Sequence, residues 1–130
     1  MTYRGAEQKR LLFVDDEPRV LDGIRRMLRG ESGRWQVFAA SGVGEAMELA
    51  GRIAPDMVIS DVTMPLKNGL DLLREFKASE SLRHIPIIML TGLGDSSLKR
   101  QSLELGAVDL LTKPIESADL RARIENVLKI

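Results

Sequence analysis

Five short apolar runs alternate with amphipathic stretches along the chain, and this rhythm constrains the fold more than any other feature of the sequence. Between the runs, apolar residues recur every three or four positions, which is typical of helices that bury one face. Strands that alternate with helices in this way predict repeated strand–helix units built on a parallel sheet. The predicted strands are residues 11–14, 35–40, 57–60, 85–91 and 108–112.

The order of the strands follows from how apolar each run is and from the handedness of the connections. The first, third and fourth runs are almost continuously apolar, as expected of central strands covered by helices on both faces. Because crossovers between parallel strands are nearly always right-handed, few topologies remain. The leading one is a doubly wound α/β fold with a five-stranded parallel sheet in the order 2-1-3-4-5. Ligands then bind beyond the carboxyl ends of the strands where the order reverses, between strands one and three.

The length of 130 residues suits one domain with a sizeable core and is too short for two independent ones. We expect the folded domain over residues 10–130, preceded by a polar, flexible tail at residues 1–9. Pro18 suits the first turn of the first helix, and Ser117 is predicted to cap the last helix.

Composition excludes several classes of function. Basic and acidic residues number 19 each, so no global field attracts the chain to nucleic acid or to an anionic membrane. There is no cysteine, so disulfides and thiolate chemistry are excluded, and a zinc site would depend on one histidine and carboxylates. The sequence shows neither a signal peptide nor an apolar run of the roughly 20 residues that span a bilayer. We therefore expect a soluble cytoplasmic protein.

Acidic residues follow two of the predicted strands at their carboxyl ends. Asp15 and Asp16 close the first run, and Asp61 closes the third. Taken alone, the first pair could cap a helix and Asp61 could belong to a turn. Together they place three carboxylates in one crevice, where two charges about 4 Å apart repel by roughly 4 kcal/mol at an effective dielectric of 20. Such a cluster favours a cation, and its hard oxygen ligands favour Mg²⁺ or Mn²⁺ over zinc.

Two further polar residues lie at the same predicted edge of the sheet. Thr91 closes the fourth run, and Lys113 follows the fifth. Either could be ordinary, as a strand residue or a solvated lysine. If Asp61 is a nucleophile that forms an aspartyl phosphate, all these residues have a use. The metal and Lys113 would neutralise the transferring group, and Thr91 could donate to a phosphoryl oxygen.

The same residues carry a resemblance to a known family. The motifs are Asp-Asp-Glu-Pro at residues 15–18, Ser-Asp-Val-Thr-Met-Pro at 60–65, Asn-Gly at 68–69, Thr-Gly at 91–92, Gly-Ala-Val-Asp at 106–109 and Lys-Pro at 113–114. With these motifs and their spacing, the chain resembles the receiver domains of two-component response regulators, which have a flavodoxin-like fold.

The resemblance implies a role for each site residue. Asp61 would be the phosphoacceptor, Asp16 a direct Mg²⁺ ligand and Asp15 a ligand acting largely through water. The backbone carbonyl of Thr63 would complete the metal site. Thr91 would supply the switch hydroxyl, while Lys113 would contact the phosphate and precede a cis peptide bond.

Leu110 departs from the family pattern, because this position is commonly Tyr or Phe. A shift of Leu110 toward the space that Thr91 leaves on activation would replace the usual movement of an aromatic ring. Leu93 and Thr63 flank the path of a hydrolytic water in this family. Since the apolar Leu93 activates no water, we expect a phosphoryl lifetime that is not especially short.

The resemblance also implies the partners. The phosphoryl donor would be a phosphohistidine on a sensor histidine kinase or a phosphotransfer protein. The output, an effector domain or a separate protein, would be contacted through the face of helix 4, strand 5 and helix 5. A homodimer is left open, and the domain would signal rather than serve as an enzyme, apart from its own phosphorylation and dephosphorylation.

Three other functions fit parts of the pattern. A Mg²⁺-dependent aspartyl phosphatase usually has a second Asp two residues after its nucleophile, where this chain has Thr63. A flavin binder needs hydroxyl groups after the first strand, whereas Asp-Asp-Glu would repel the flavin phosphate. A receiver-like interaction module that is never phosphorylated has no need for the full set of site residues. His84 lies at a strand entrance without the helical context of a phosphorylated histidine, so we expect it to be structural or exposed.

Overall fold

The computed structural model describes residues 8–129, and in them five strands alternate with five α-helices. The strands are β1 (Lys9–Val14), β2 (Trp35–Ala40), β3 (Met57–Asp61), β4 (Ile87–Thr91) and β5 (Asp109–Thr112). The helices are α1 (Pro18–Met27), α2 (Val43–Ile53), α3 (Gly69–Ala78), α4 (Ser96–Glu104) and α5 (Ser117–Leu128), and a 3₁₀ turn lies at Arg29–Glu31. All neighbouring strands are parallel, in the order β2-β1-β3-β4-β5, which confirms the predicted topology.

β2 has the predicted boundaries, and those of the other four strands differ from the predicted ones by one or two residues. β4 begins at Ile87 rather than at residue 85, because Pro86 has no N–H to give to a ladder. The predicted tail at residues 1–9 lies outside the described residues except for Gln8 and Lys9, and Lys9 already belongs to β1.

Helices cover both faces of the sheet, as the continuous apolar character of the central strands requires. Neighbouring β1 residues point to opposite faces: Leu12 packs with residues of α2 and α3, while Leu11 packs with residues of α1 and α5. Both leucines are fully buried. The two apolar layers hold the strands in register, since a slip of one residue would exchange the faces.

One of the two predicted helix starts is confirmed and the other is wrong. Pro18 is the first residue of α1, as expected. At α5 the N-cap position belongs to Glu116, whose side chain forms no capping hydrogen bond. Ser117 instead begins the helix and accepts a hydrogen bond from the Arg121 guanidinium. Within residues 8–129, none of the helices is both long and apolar enough to cross a membrane.

Candidate functional site

Four neighbouring strands deliver the predicted site residues to one edge of the sheet. Asp15 follows β1, Asp61 ends β3, Thr91 ends β4 and Lys113 follows β5. The register aligns these ends, pairing Asp61 with Leu90 across β3 and β4. Because parallel strands point the same way, their carboxyl ends form one crevice beside the reversal in strand order.

Three carboxylates gather in this crevice. One oxygen from each of Asp15, Asp16 and Asp61 lies within 4.8 Å of the others. Asp15 and Asp61 are buried, with 1% and 6% of their surface exposed, whereas Asp16 is exposed to solvent. Backbone N–H groups orient the two buried acids: Glu17 donates to Asp15 Oδ1 at 2.9 Å, and Thr63 donates to Asp61 Oδ1 at 3.3 Å.

Lys113 contacts both buried carboxylates. Its Nζ lies 3.1 Å from Asp61 Oδ2 and 3.3 Å from Asp15 Oδ2, and the lysine side chain remains partly exposed. Burial alone would lower the pKa of the Lys113 ammonium, but the hydrogen bond and charge of Asp61, together with Asp15, raise it above its ordinary value. The lysine is therefore charged at neutral pH.

At Asp61, burial has a larger effect on the pKa than the neighbouring positive charge does. Burial raises the pKa of the Asp61 carboxyl above its ordinary value, and the nearby charge of Asp15 raises it further. The hydrogen bond and charge of Lys113 and the N–H of Thr63 act against this rise without cancelling it. A second cation beside the three acids would therefore favour the ionised, nucleophilic form of Asp61.

The Thr91 hydroxyl has no hydrogen-bond partner among the described residues. The residue is 1% exposed, and its Oγ1 forms no hydrogen bond within the described part of the chain. Its carbonyl, in contrast, accepts from the Lys113 N–H at 2.8 Å, which joins the ends of β4 and β5. Buried hydroxyls without a partner are rare and costly, so this one is suited to a group that enters the crevice.

The loop between β3 and α3 is held tightly against the site. Asn68 and Asp71 form reciprocal hydrogen bonds between side chain and backbone, of 3.0 and 2.9 Å, which start α3. The Gly69 N–H donates to the Val62 carbonyl at 2.8 Å. A Cβ at position 69 would collide with the backbone carbonyl of Asp61, so only glycine permits this approach.

The donor set of the crevice fits a hard divalent cation. Its ligand atoms are carboxylate oxygens at one edge, two of them on buried residues, and their mutual repulsion is only partly relieved by Lys113. Oxygen ligands of this kind suit Mg²⁺ or Mn²⁺, which retain water and leave room for a phosphate. Asp15, Asp16 and Asp61 are the side chains that could hold the ion.

The remaining predicted residues lie as follows. Thr63 is exposed beside Asp61, and the peptide bond between Lys113 and Pro114 is cis, as predicted. Leu110 is partly buried against the α2–α3 side of the core. His84 is exposed and precedes β4, at the amino-terminal ends of the strands, whereas the site lies at their carboxyl ends.

The sequence pattern did not indicate that Leu66 has an unusual conformation beside the site. It lies in the loop after β3, is fully exposed and has a φ of 65°, which is unusual for a leucine. The residue type carries no signal for this conformation, because Asn or Gly is the usual choice there.

Comparison with known proteins gives a consistent result. A family model described as the response regulator receiver domain matches residues 11–125. The chain is 36% identical over 121 residues to the phosphate regulon transcriptional regulatory protein PhoB of Pseudomonas aeruginosa, covering 93% of this chain and 52% of PhoB. It is 34% identical over 120 residues to the response regulator PleD of Caulobacter vibrioides, covering 92% of this chain and 26% of PleD.

The chain therefore spans about half the length of PhoB and about a quarter of the length of PleD. Among solved structures, a response regulator from Chloroflexus aurantiacus is similar with a TM-score of 0.88 and 34% identity, covering 95% of this chain and 99% of that one. The chemotaxis protein CheY4 of Vibrio cholerae has a TM-score of 0.84 and 26% identity, covering 92% and 98%.

Proposed function

Since the chain belongs to the family of response regulator receiver domains, we propose that it is a phosphoacceptor domain of a two-component system and that Asp61 accepts the phosphoryl group. The observation that carries the proposal is the meeting, at one edge of the sheet, of a buried carboxylate, a charged amine and a hydroxyl that has no hydrogen-bond partner among residues 8–129. These belong to Asp61, Lys113 and Thr91. An acceptor, a charge-neutralising group and a hydrogen-bond donor for the product are then all present.

In the proposed reaction, a carboxylate oxygen of Asp61 attacks the phosphorus of a phosphohistidine on a sensor histidine kinase or a phosphotransfer protein. The oxygen–phosphorus bond forms, the phosphorus–nitrogen bond breaks, and the histidine ring leaves with the electron pair and takes up a proton. Lys113, which is charged at neutral pH, offsets the negative charge of the phosphoryl oxygens. The N–H of Thr63 holds the attacking carboxylate in place.

Mg²⁺, with Mn²⁺ as the alternative, is the cation we propose for the acidic cluster. Asp15, Asp16 and Asp61 would hold it together with the backbone carbonyl of Thr63. When bound, the cation supplies positive charge beside the transferring group. Asp16 is the exposed member, so it is the ligand that an arriving ion meets first.

The signal would be a shift between two conformations. A phosphoryl oxygen offers the buried Thr91 hydroxyl the partner that the described structure lacks, and a movement of Thr91 toward it would free space for Leu110. The face of α4, β5 and α5 would pass this change to an effector domain or a separate protein, or to a second copy in a homodimer. We propose a cytoplasmic location and no direct binding of nucleic acid or membrane by this domain.

A receiver-like module that is not phosphorylated remains the alternative, and an aspartyl phosphatase is a more distant one. The first does not explain why a buried carboxylate with a raised pKa, that of Asp61, lies in a cluster of three acids. The second usually has an Asp where this chain has Thr63, which contributes its N–H rather than an acid to the site.

Mass spectrometry of the intact protein tests the proposal. The wild type and Asp61→Asn are incubated with acetyl phosphate and Mg²⁺, and with EDTA in parallel. We expect one phosphoryl adduct on the wild type with Mg²⁺, almost none with EDTA and none on the variant. Without an adduct on the wild type, the unphosphorylated module becomes the better account. Continuous release of phosphate from small esters would instead favour the phosphatase.

A further inference from the structure

β2 forms one edge of the sheet, and half of its backbone groups point away from β1. The Asp15 N–H donates to the Ala40 carbonyl at 3.1 Å, so the ladder to β1 uses the even-numbered residues of β2. Because hydrogen bonding alternates along a strand, the N–H and C=O groups of Trp35, Val37 and Ala39 face outward. Within the described part of the chain, these groups pair with no other strand.

Within residues 8–129, the β2 edge lacks the usual protection against such pairing. Its six residues include no charged residue and no proline, and they pair with β1 without a bulge. The other edge strand, β5, is protected: it has four residues, and Asp109 holds a charge there in an ion pair of 2.7 Å with Arg123. The two edges of one sheet therefore differ in their readiness to accept a partner.

A groove of about 420 Å³ runs beside the open edge. Leu28, Trp35 and Val37 give it apolar contacts, while Arg25 and Arg29 give it positive charge. Both arginines are exposed, and neither forms an ion pair with any residue among 8–129.

An apolar strip, two arginines without an ion-pair partner among residues 8–129 and outward backbone groups match one kind of occupant, which is extended, partly apolar and acidic.

We propose that the β2 edge binds an extended acidic segment of a partner protein as a sixth strand. The outward groups of Trp35, Val37 and Ala39 would supply the main-chain hydrogen bonds, and alternate side chains of the segment would lie in the groove. Carboxylates on the segment would pair with Arg25 and Arg29. The surface is distinct from the Asp61 crevice, so binding does not require the phosphoryl group.

Peptide selection on two folded proteins tests this proposal. A library of random eight-residue peptides displayed on phage is selected on the wild type after removal of clones that bind Val37→Pro. Because the Val37 N–H faces outward, proline at this position removes a donor for the partner without removing a ladder bond. We expect enrichment of peptides with Asp or Glu that bind the wild type at least tenfold more tightly than Val37→Pro.

A second variant keeps the test valid if Val37→Pro does not fold. Arg25→Gln combined with Arg29→Gln changes only exposed side chains, and we expect it to weaken the selected peptides at least fivefold. Hydrogen exchange of the Val37 and Ala39 amides should slow when a selected peptide is added. Asp61→Asn is the matched control and should bind the peptides as the wild type does, which separates this result from the fate of the phosphoacceptor proposal.

Three outcomes would overturn the inference. If every selected peptide binds both variants as tightly as it binds the wild type, the β2 edge is not the binding surface. Enriched peptides that carry basic rather than acidic residues would remove the role of Arg25 and Arg29. Protection of Val37 and Ala39 that rises with protein concentration alone would make a second copy of this chain the occupant.

Discussion

Replacing Asp61 by asparagine should stabilise the fold when no divalent cation is present, because the two side chains have nearly the same shape and only the charge is lost. Asp61 Oδ2 lies 3.1 Å from Lys113 Nζ, an attraction of about 5 kcal/mol at an effective dielectric of 20. Asp15 lies within 4.8 Å and repels Asp61 by about 3.5 kcal/mol on the same basis. Asp16 is exposed, so its repulsion is nearer the value for water, about 1 kcal/mol.

These charge effects nearly cancel, and burial therefore decides the sign. Asp61 is 6% exposed, and burial is the largest cause of its raised pKa. A folded-state pKa above the unfolded value means that the ionised side chain destabilises the fold at neutral pH, by about 1.4 kcal/mol for each pKa unit. We expect Asp61→Asn to raise the free energy of unfolding at pH 7, by about 1 kcal/mol on the ordinary scale of single substitutions.

Urea denaturation at pH 7 measures this difference, first in EDTA and then across a range of Mg²⁺ concentrations. In EDTA the variant should unfold at the higher urea concentration. Mg²⁺ should stabilise the wild type, by about 2.7 kcal/mol at one hundred times its dissociation constant, and should stabilise the variant much less, because the variant has lost a ligand. The difference should therefore shrink or change sign as Mg²⁺ is added.

Asp22→Asn is the control for this experiment. Asp22 is an exposed acid on α1, so its replacement makes the same change in net charge without touching the crevice. It should leave both the stability and the Mg²⁺ response near those of the wild type. Lower stability of Asp61→Asn in EDTA would mean that the attraction to Lys113 outweighs repulsion and burial together, and the charge argument would be refuted. An equal Mg²⁺ response in all three proteins would refute the metal site.

Three other substitutions test how the site is held, each by urea denaturation. Gly69→Ala should destabilise by about 1–3 kcal/mol, because the added methyl group collides with the Asp61 carbonyl; Gly51→Ala, in an open helical position, should instead stabilise by about 0.5–1 kcal/mol. Asn68→Ala should cost about 1 kcal/mol through loss of the capping box. Thr91→Val should stabilise by about 1 kcal/mol, since it removes a buried hydroxyl that meets no partner in the described structure; a loss of similar size would show that the hydroxyl is already hydrogen-bonded.

The sheet and the meeting of acids at its edge could be predicted because both depend on local patterns. Apolar runs identify the strands, and parallel strands of similar length must place their last residues at a common edge. Asp15 and Asp61 each follow directly on a run, so their convergence required only the strand order. The convergence predicted for these two residues is what the structure contains.

The features that the sequence did not reveal depend on distances between distant segments. Lys113 contacts both buried carboxylates, and the Thr91 hydroxyl has no partner among the residues that the structure describes. Both features depend on side-chain positions that no spacing specifies. The capping prediction for Ser117 failed for a related reason. Its side chain accepts from Arg121 one turn later, within α5, and Glu116 takes the N-cap position instead.

The stability argument bears on why Asp61 is present at all. An asparagine in its place would keep the shape and remove a buried charge close to two other acids, so the fold alone favours the substitution. A residue that reduces stability in such a crevice is better explained by chemistry there than by packing. This reasoning favours a phosphorylated Asp61 over an inert receiver-like module, in which nothing would oppose the more stable asparagine.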